Sequence, residues 1–321
     1  MGIKVTIVVT CYRRWTYLPL AIKSIRVQSK PPDEIIIVKS PEIRLLEGSL
    51  KVIDDDSPHV GKKIIEAAEE AMGDIIMFLD DDDEFTNSKV AMVSEFFENI
   101  SELTYVHNSI SCITSSGVEV HKVKNYFKVP PYVKPCAKVN RRVMFNLSNE
   151  KAFSRWLWAG AAFNASSISI RREALMKVKH YVKQVSVVSD SILYYSAALY
   201  GGSALLIPER LTKYRIHGGN ISRGQSTSFS DYIESMRTLL SRVIHDYNII
   251  CEMTKGSNFE KHACTERSMY TAVARVFNEH ELSLGYLNMH TLQYYLMALL
   301  PKRFKNVIAR RWYEATLNPF I

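Results

Sequence analysis

Apolar positions along this chain follow two rhythms. Short unbroken runs, rich in β-branched residues, occupy residues 4–10 (KVTIVVT), 34–38 (EIIIV), 50–53 and 74–79 (DIIMFL). Runs of that kind suit strands buried on both faces. Between them the spacing becomes helical. Leu18, Ala21, Ile22 and Ile25 form one apolar stripe, closed by Pro31-Pro32, and Ile64, Ile65, Ala68 and Met72 form another, closed by Gly73. Strands alternating with helices predict βαβ units, a mostly parallel sheet, and a ligand site at the strands' carboxyl ends. Residues 88–100 predict a further helix, and residues 105–114 and 117–120 a hairpin around Ser115-Ser116-Gly117. A second block predicts a strand over 166–170, helices over 171–181 and 191–200, a strand over 204–207, and helices from about residue 230.

Composition narrows the class. The 321 residues are 47% hydrophobic and 23% charged, which excludes a disordered, collagenous or purely coiled-coil chain. Five scattered cysteines (Cys11, Cys112, Cys136, Cys251, Cys264) show no C-x-x-C pair, so neither a disulfide framework nor a zinc knuckle is expected. The opening MGIKVTIVVTCYRR lacks the pattern of a secretion signal, and the least charged stretch, 282–301, is too polar to span a bilayer. These features lead us to expect a cytoplasmic protein. The net charge of +8 is concentrated in residues 121–155, where nine Lys and Arg face Glu150 alone. With Pro130, Pro131 and Pro135 this segment reads as a long loop: a solvated insertion, a lid for anionic substrates, or a nucleic-acid patch. The prolines and the nearby acids argue against nucleic acid.

Those acids are the strongest chemical signal. Asp80-Asp81-Asp82-Asp83-Glu84 follows an apolar strand directly, and five adjacent carboxyl groups call for a counter-charge. Oxygen ligands of this kind suit Mg²⁺ or Mn²⁺, which typically combines one or two carboxylates with substrate phosphates. Alternation along an extended segment turns Asp80 and Asp82 to one side.

Four blocks together resemble the inverting family 2 glycosyltransferases, which have the GT-A, nucleotide-diphospho-sugar transferase fold. They are KVTIVVTCYRRWTYLPLAIKSIRVQSKPPDEIIIV, HVGKKIIEAAEEAMGDIIMFLDDDDEF, WAGAAFNASSISIRREAL and VSDSILYYSAALYGGSALLIPERLTKYRIHGGNIS, in that order. The resemblance implies an α/β fold with a Rossmann-like, mostly parallel sheet between helices, a catalytic domain over residues 1–225 and a helical appendage over 226–321. It also implies roles. Asp80 and Asp82 match the D-x-D metal motif, with Asp82 as the direct ligand and Asp80 at metal or ribose. His217 in Tyr214-Arg215-Ile216-His217 matches a late histidine that reaches the metal. Asp190 matches the general base. Thr10, Cys11, Tyr12, Arg14, Lys62, Asp81, Gly160, Ala161 and Arg215 fall where the family holds the nucleotide and donor sugar. The implied partners are a UDP- or GDP-sugar donor and a glycan or lipid-linked acceptor, with Mn²⁺ or Mg²⁺ as cofactor. Two positions depart from the family pattern: the second strand ends Val38-Lys39-Ser40 without the usual acid, and Ser189 replaces a Glu before Asp190.

Three other readings stay open on the residues alone. A catalytically inactive relative acting as a binding or scaffold protein fits Lys39 and Ser189. A haloacid-dehalogenase-like phosphatase also uses D-x-D after a strand, although Glu84 stands where that motif wants Thr or Val. A sugar-1-phosphate nucleotidyltransferase would need a Gly-rich opening loop, which is absent. Near the carboxy terminus, the apolar LQYYLMALL of residues 292–300 precedes Lys302, Arg303, Lys305, Arg310 and Arg311, with Phe304 and Trp312 interleaved. That arrangement suits either a helix packed on its own domain or peripheral contact with a cytoplasmic membrane face.

Overall fold

The computed structural model describes residues 2–13, 15–45, 50–123, 130, 139–220, 226, 228–277, 289, 291–317 and 319. The chain forms two compact units, residues 1–113 with 136–215, and residues 114–135 with 216–321.

The first unit opens with β1 (Val5–Cys11), α1 (Leu18–Arg26), β2 (Glu34–Lys39), β3 (Lys51–Asp54), α2 (Val60–Glu70), β4 (Ile75–Asp80), β5 (Glu84–Phe85), α3 (Lys89–Asn99) and β6 (Leu103–Ile113). In the second unit lies β7 (Glu119–Val120), after a turn in which the Gly117 N–H donates to the Thr114 carbonyl at 2.9 Å. The first unit resumes with β8 (Val143–Asn146), α4 (Glu150–Trp158), a 3₁₀ turn (Ala165–Ser167), β9 (Ile168–Arg171), α5 (Arg172–Lys177), α6 (Lys179–Val182), α7 (Ser189–Tyr200) and β10 (Ser203–Arg215).

The sheet runs β3-β2-β1-β4-β9-β6-β10-β5, with β8 antiparallel to β10. β1, β2, β3 and β4 are mutually parallel, β9 is antiparallel to β4 and β6, and β6 is parallel to β10. This is the mixed, mostly parallel α/β sheet that the alternating rhythm predicts. Period-two alternation sends Val5, Ile7, Val9, Met77 and Leu79 to one face, where they pack with Leu18, Ile22 and Ile25 of α1 and Val90, Val93 and Phe97 of α3. The intervening Val8, Ile36 and Phe78 are buried as well, and α2 packs against β1 and β2.

Within the basic segment 121–155, residues 143–146 form a strand and residues 150–155 begin a helix, which corrects its reading as one long loop. Residues 143–146 pair with Ser203–Leu206, and Asn149 caps α4 by accepting the Ala152 N–H at 3.0 Å. Alternating burial on a short edge strand leaves too weak a hydrophobic run to read from sequence. Residues 124–129 and 131–138 of that segment lie outside the described residues.

The second unit holds α8 (Phe229–Met253), α9 (Glu260–Phe277), α10 (Leu292–Leu299) and α11 (Lys302–Leu317), which is the helical region expected. The Cys264 thiol donates to Cys251 Sγ at 2.7 Å, joining α8 to α9 through two cysteines that are 13 residues apart. No helix among the described residues is long and apolar enough to cross a membrane.

Candidate active site

Parallel pairing brings four strand ends to one edge. Thr10 lies opposite Asp80 and Val38, and Cys11 is in register with Lys39, which is in register with Asp54. The acidic run therefore emerges beside the end of β1, at the carboxyl edge where α/β sheets bind ligands.

The four aspartates have separate surroundings. Asp80 is half-buried, and its N–H donates to Ser166 Oγ at 3.0 Å. Asp81 is buried and accepts the Cys11 thiol at 3.2 Å. Asp82 is 9% exposed, and its carbonyl accepts from Arg215 Nε at 2.9 Å. Asp83 is fully buried. Its Oδ1 accepts the Arg215 N–H and its Oδ2 accepts from Asn164 Nδ2, both at 2.9 Å. Burial pushes the Asp83 carboxyl well above the usual range, and the charges of Asp82 and Asp80 push the same way.

Arg215 is wholly buried. Its guanidinium binds Glu84 and the Asp82 carbonyl and lies 4.6 Å from the Tyr17 ring centre. Arg215, expected at the donor phosphates, makes contacts here that brace the acidic turn.

The β1–β2–β3 side forms a second cluster. Lys39, standing where relatives carry an acid, is buried and pairs with Asp54. Asp55 is buried too. Burial works against its charge, but Lys62 at 2.9 Å, the Ser57 N–H at 2.9 Å and Lys63 at 3.2 Å hold its carboxyl below the usual range. Lys62, expected at the donor, is engaged with Asp55 and Glu66. Tyr12 has the Lys63 ammonium 5.3 Å and the Arg13 guanidinium 5.1 Å from its ring centre, and Arg13 clasps Asp56 at 3.2 and 2.7 Å. Arg14 lies outside the described residues.

Asp190 occupies the first turn of α7, where negative charge is favoured. Its Oδ1 accepts the Ser191 N–H at 2.8 Å, and its charge acts on Tyr105. The Tyr105 hydroxyl in turn donates to the Ala161 carbonyl at 2.7 Å. The buried Tyr105 thus holds the Ala161 carbonyl within reach of the Asp190 charge. Gly160 has φ 94°, a left-handed conformation that favours glycine.

His217 belongs to the second unit. Its Nδ1 accepts the Gly219 N–H at 3.1 Å, and its own N–H donates to Asn220 Oδ1 at 2.8 Å. Acceptance at Nδ1 assigns the proton of a neutral ring to Nε2.

Sequence reasoning missed the layer beneath the turn. Lys89, fully buried, donates to the Ser166 carbonyl and to Thr212 Oγ1 at 3.0 Å, and burial drives its ammonium well below the usual range. Asn164, Ser166 and Thr212 complete this layer. The available signal was parity: if Asp80 and Asp82 face out, Asp83 does not, and a buried carboxylate requires donors.

No group of three or more His, Cys, Asp or Glu side chains among the described residues forms a ready metal centre. The donor set nevertheless fits a hard cation completed by substrate oxygens. Asp80 and Asp82 both disfavour ionisation of the buried Asp83, so negative charge accumulates at this turn.

The chain matches the model of glycosyl transferase family 2 over residues 6–178, and it belongs to that family of glycosyltransferases. It is 25% identical over 240 residues to an uncharacterized glycosyltransferase of Nostoc sp. (strain PCC 7120), covering 70% of this chain and 69% of that one. In fold it is similar to S. aureus TarS. The crystal structure of TarS residues 1–349 with UDP has a TM-score of 0.52 at 13% identity, covering 97% of this chain and 90% of TarS 1–349. The complex of the same fragment with UDP-GlcNAc gives 0.52 at 14% identity, covering 97% and 91%. A GT-A-like fold is therefore the architecture of this protein.

Proposed function

We propose that this glycosyltransferase moves a sugar from a nucleotide-diphospho-sugar to the hydroxyl of a glycan or lipid-linked acceptor, with inversion at the anomeric carbon, and that residues 1–225 carry the chemistry. One observation carries the reading: the register of β1 with β4 sets Thr10 beside Asp80, so the D-x-D turn adjoins the end of the first strand. A UDP-linked donor is favoured, because the fold is similar to a protein crystallised with UDP and UDP-GlcNAc.

In this reading Asp80 and Asp82 hold Mn²⁺ or Mg²⁺, which when bound supplies neutralisation of the charge on the departing nucleoside diphosphate. Asp83, Arg215, Asn164 and Lys89 keep that turn in place. Thr10, Cys11, Tyr12 and Asp81 line the nucleotide side. The Lys62–Asp55 and Lys39–Asp54 pairs supply the polar groups that in relatives come from an acid after β2. Gly160 and Ala161 border the donor sugar. Asp190 accepts the acceptor hydroxyl's proton as its oxygen attacks, and one base on one face gives direct displacement.

The test is turnover of UDP-GlcNAc and of GDP-mannose, each with Mn²⁺ and with a chelator. Release of UDP or GDP that needs the cation and disappears in Asp82→Asn supports the reading. Equal release with the chelator, or none from a folded protein with any nucleotide sugar, overturns it and favours the scaffold reading.

A further inference from the structure

The second unit presents an unusual helix. α10 is apolar on both of its sides. Tyr294, Tyr295 and Ala298 are buried, and α10 packs on α9. Leu292, Leu296 and Leu299 recur at i, i+4 and i+7 on the opposite side, 42%, 58% and 66% exposed. Leu300 continues the stripe, and Phe304 and Val307 extend it into α11, 46% and 52% exposed. α11 turns Ala309 and Trp312 inward, so this unit is already packed without the outer stripe. Contiguous apolar faces of this kind mark interaction sites in soluble chains.

Charge identifies the occupant. Lys302, Arg303, Arg310 and Arg311 are exposed around the stripe, Lys305 is half-exposed, and Glu314 is the sole acid between residues 291 and 317. The Arg303 guanidinium lies 4.8 Å from the Phe304 ring centre, so cation and apolar wedge form one edge. A twofold contact with a second copy would set these cations against themselves. An anionic bilayer meets both features at once, with leucines and phenylalanine at the acyl boundary and cations at the headgroups.

We propose that α10 and the start of α11 dock on the surface of an anionic phospholipid bilayer. Leu296, Leu299 and Phe304 enter the interface, while Lys302, Arg303 and Arg311 meet phosphate headgroups. No helix among the described residues crosses a membrane, so the attachment is peripheral. This docking is independent of the reaction assigned above, and so is its test.

Flotation of the full chain with vesicles decides it. The protein is expected to float with mixed phosphatidylcholine–phosphatidylglycerol vesicles, not with phosphatidylcholine alone, and to be released by high salt. Replacing Lys302 or Arg303 by Gln is expected to weaken binding about fivefold each. Leu296→Ser with Leu299→Ser is expected to abolish flotation while thermal unfolding stays at the wild-type temperature, since both side chains are exposed. Failure of the wild type to float on anionic vesicles overturns the proposal, as does a double-serine variant that floats equally well. A lipid-free dimer that the serine pair dissolves would assign the face to a second copy instead.

Discussion

Four successive aspartates leave β4, and their neighbours divide them. Asp80 is tied to Ser166 through its N–H and Asp82 to Arg215 through its carbonyl, Asp81 is turned to Cys11, and the Asp83 carboxylate is built into the protein. Replacing Asp83 by Ala strands the Asn164 amide and the Arg215 N–H, so a loss of about 2–4 kcal/mol is expected in denaturant unfolding. Asp190→Asn keeps the shape and the Ser191 contact but cannot take a proton. Turnover is expected to fall about 10²–10⁴-fold while UDP binding, read by calorimetry, is retained; wild-type turnover would remove Asp190 from the mechanism. His107 gives a pH prediction. Burial lowers its imidazole from 6.5 to about 4, and its Nε2 donates to the Phe163 carbonyl. Between those values the unfolded chain binds the extra proton, so stability falls as pH drops from 6.5 towards 4, by about 3 kcal/mol in all. His107→Gln is expected to flatten that part of the stability profile.

Elements decide how far these side chains can be brought together. Gly61 lies in the first turn of α2, where an added Cβ would stand 1.8 Å from the Val182 carbonyl oxygen, and its N–H donates to the Val185 carbonyl at 2.9 Å. That close approach sets the end of α2 that carries Lys62 and Lys63 towards Asp55. Gly61→Ala is expected to cost about 3 kcal/mol through overpacking, seen as a lower unfolding temperature; an unchanged temperature would refute the close packing. The strands and helices of residues 4–100 were legible because buried strands and one-sided helices write their periods plainly. β10 was not. Its apolar run breaks at Pro208, yet Ile207 pairs with Asn108 and Arg210 with Ser109, so a bulge absorbs Pro208 and Glu209 and the strand continues to Arg215. That continuation is what buries Arg215 beneath the acidic turn, and no pattern in the sequence announces it.

At the scale of the molecule, the order of the motif blocks carried the family and fold, because residue type at strand ends is a local property. Contacts between distant segments stayed hidden, among them Lys39 with Asp54, Asp83 with Asn164, and Cys251 with Cys264. Each depends on register or helix packing, which one sequence does not display. In the function proposed here, the edge formed by β1, β4 and the acidic turn binds a nucleoside diphosphate through a cation on Asp80 and Asp82. Calorimetric titration of the full chain with UDP, with and without Mn²⁺, in the wild type and in Asp82→Asn, tests it most directly. Binding strengthened by Mn²⁺ is expected in the wild type, with no such gain in Asp82→Asn. Equal affinity in all four titrations would contradict it.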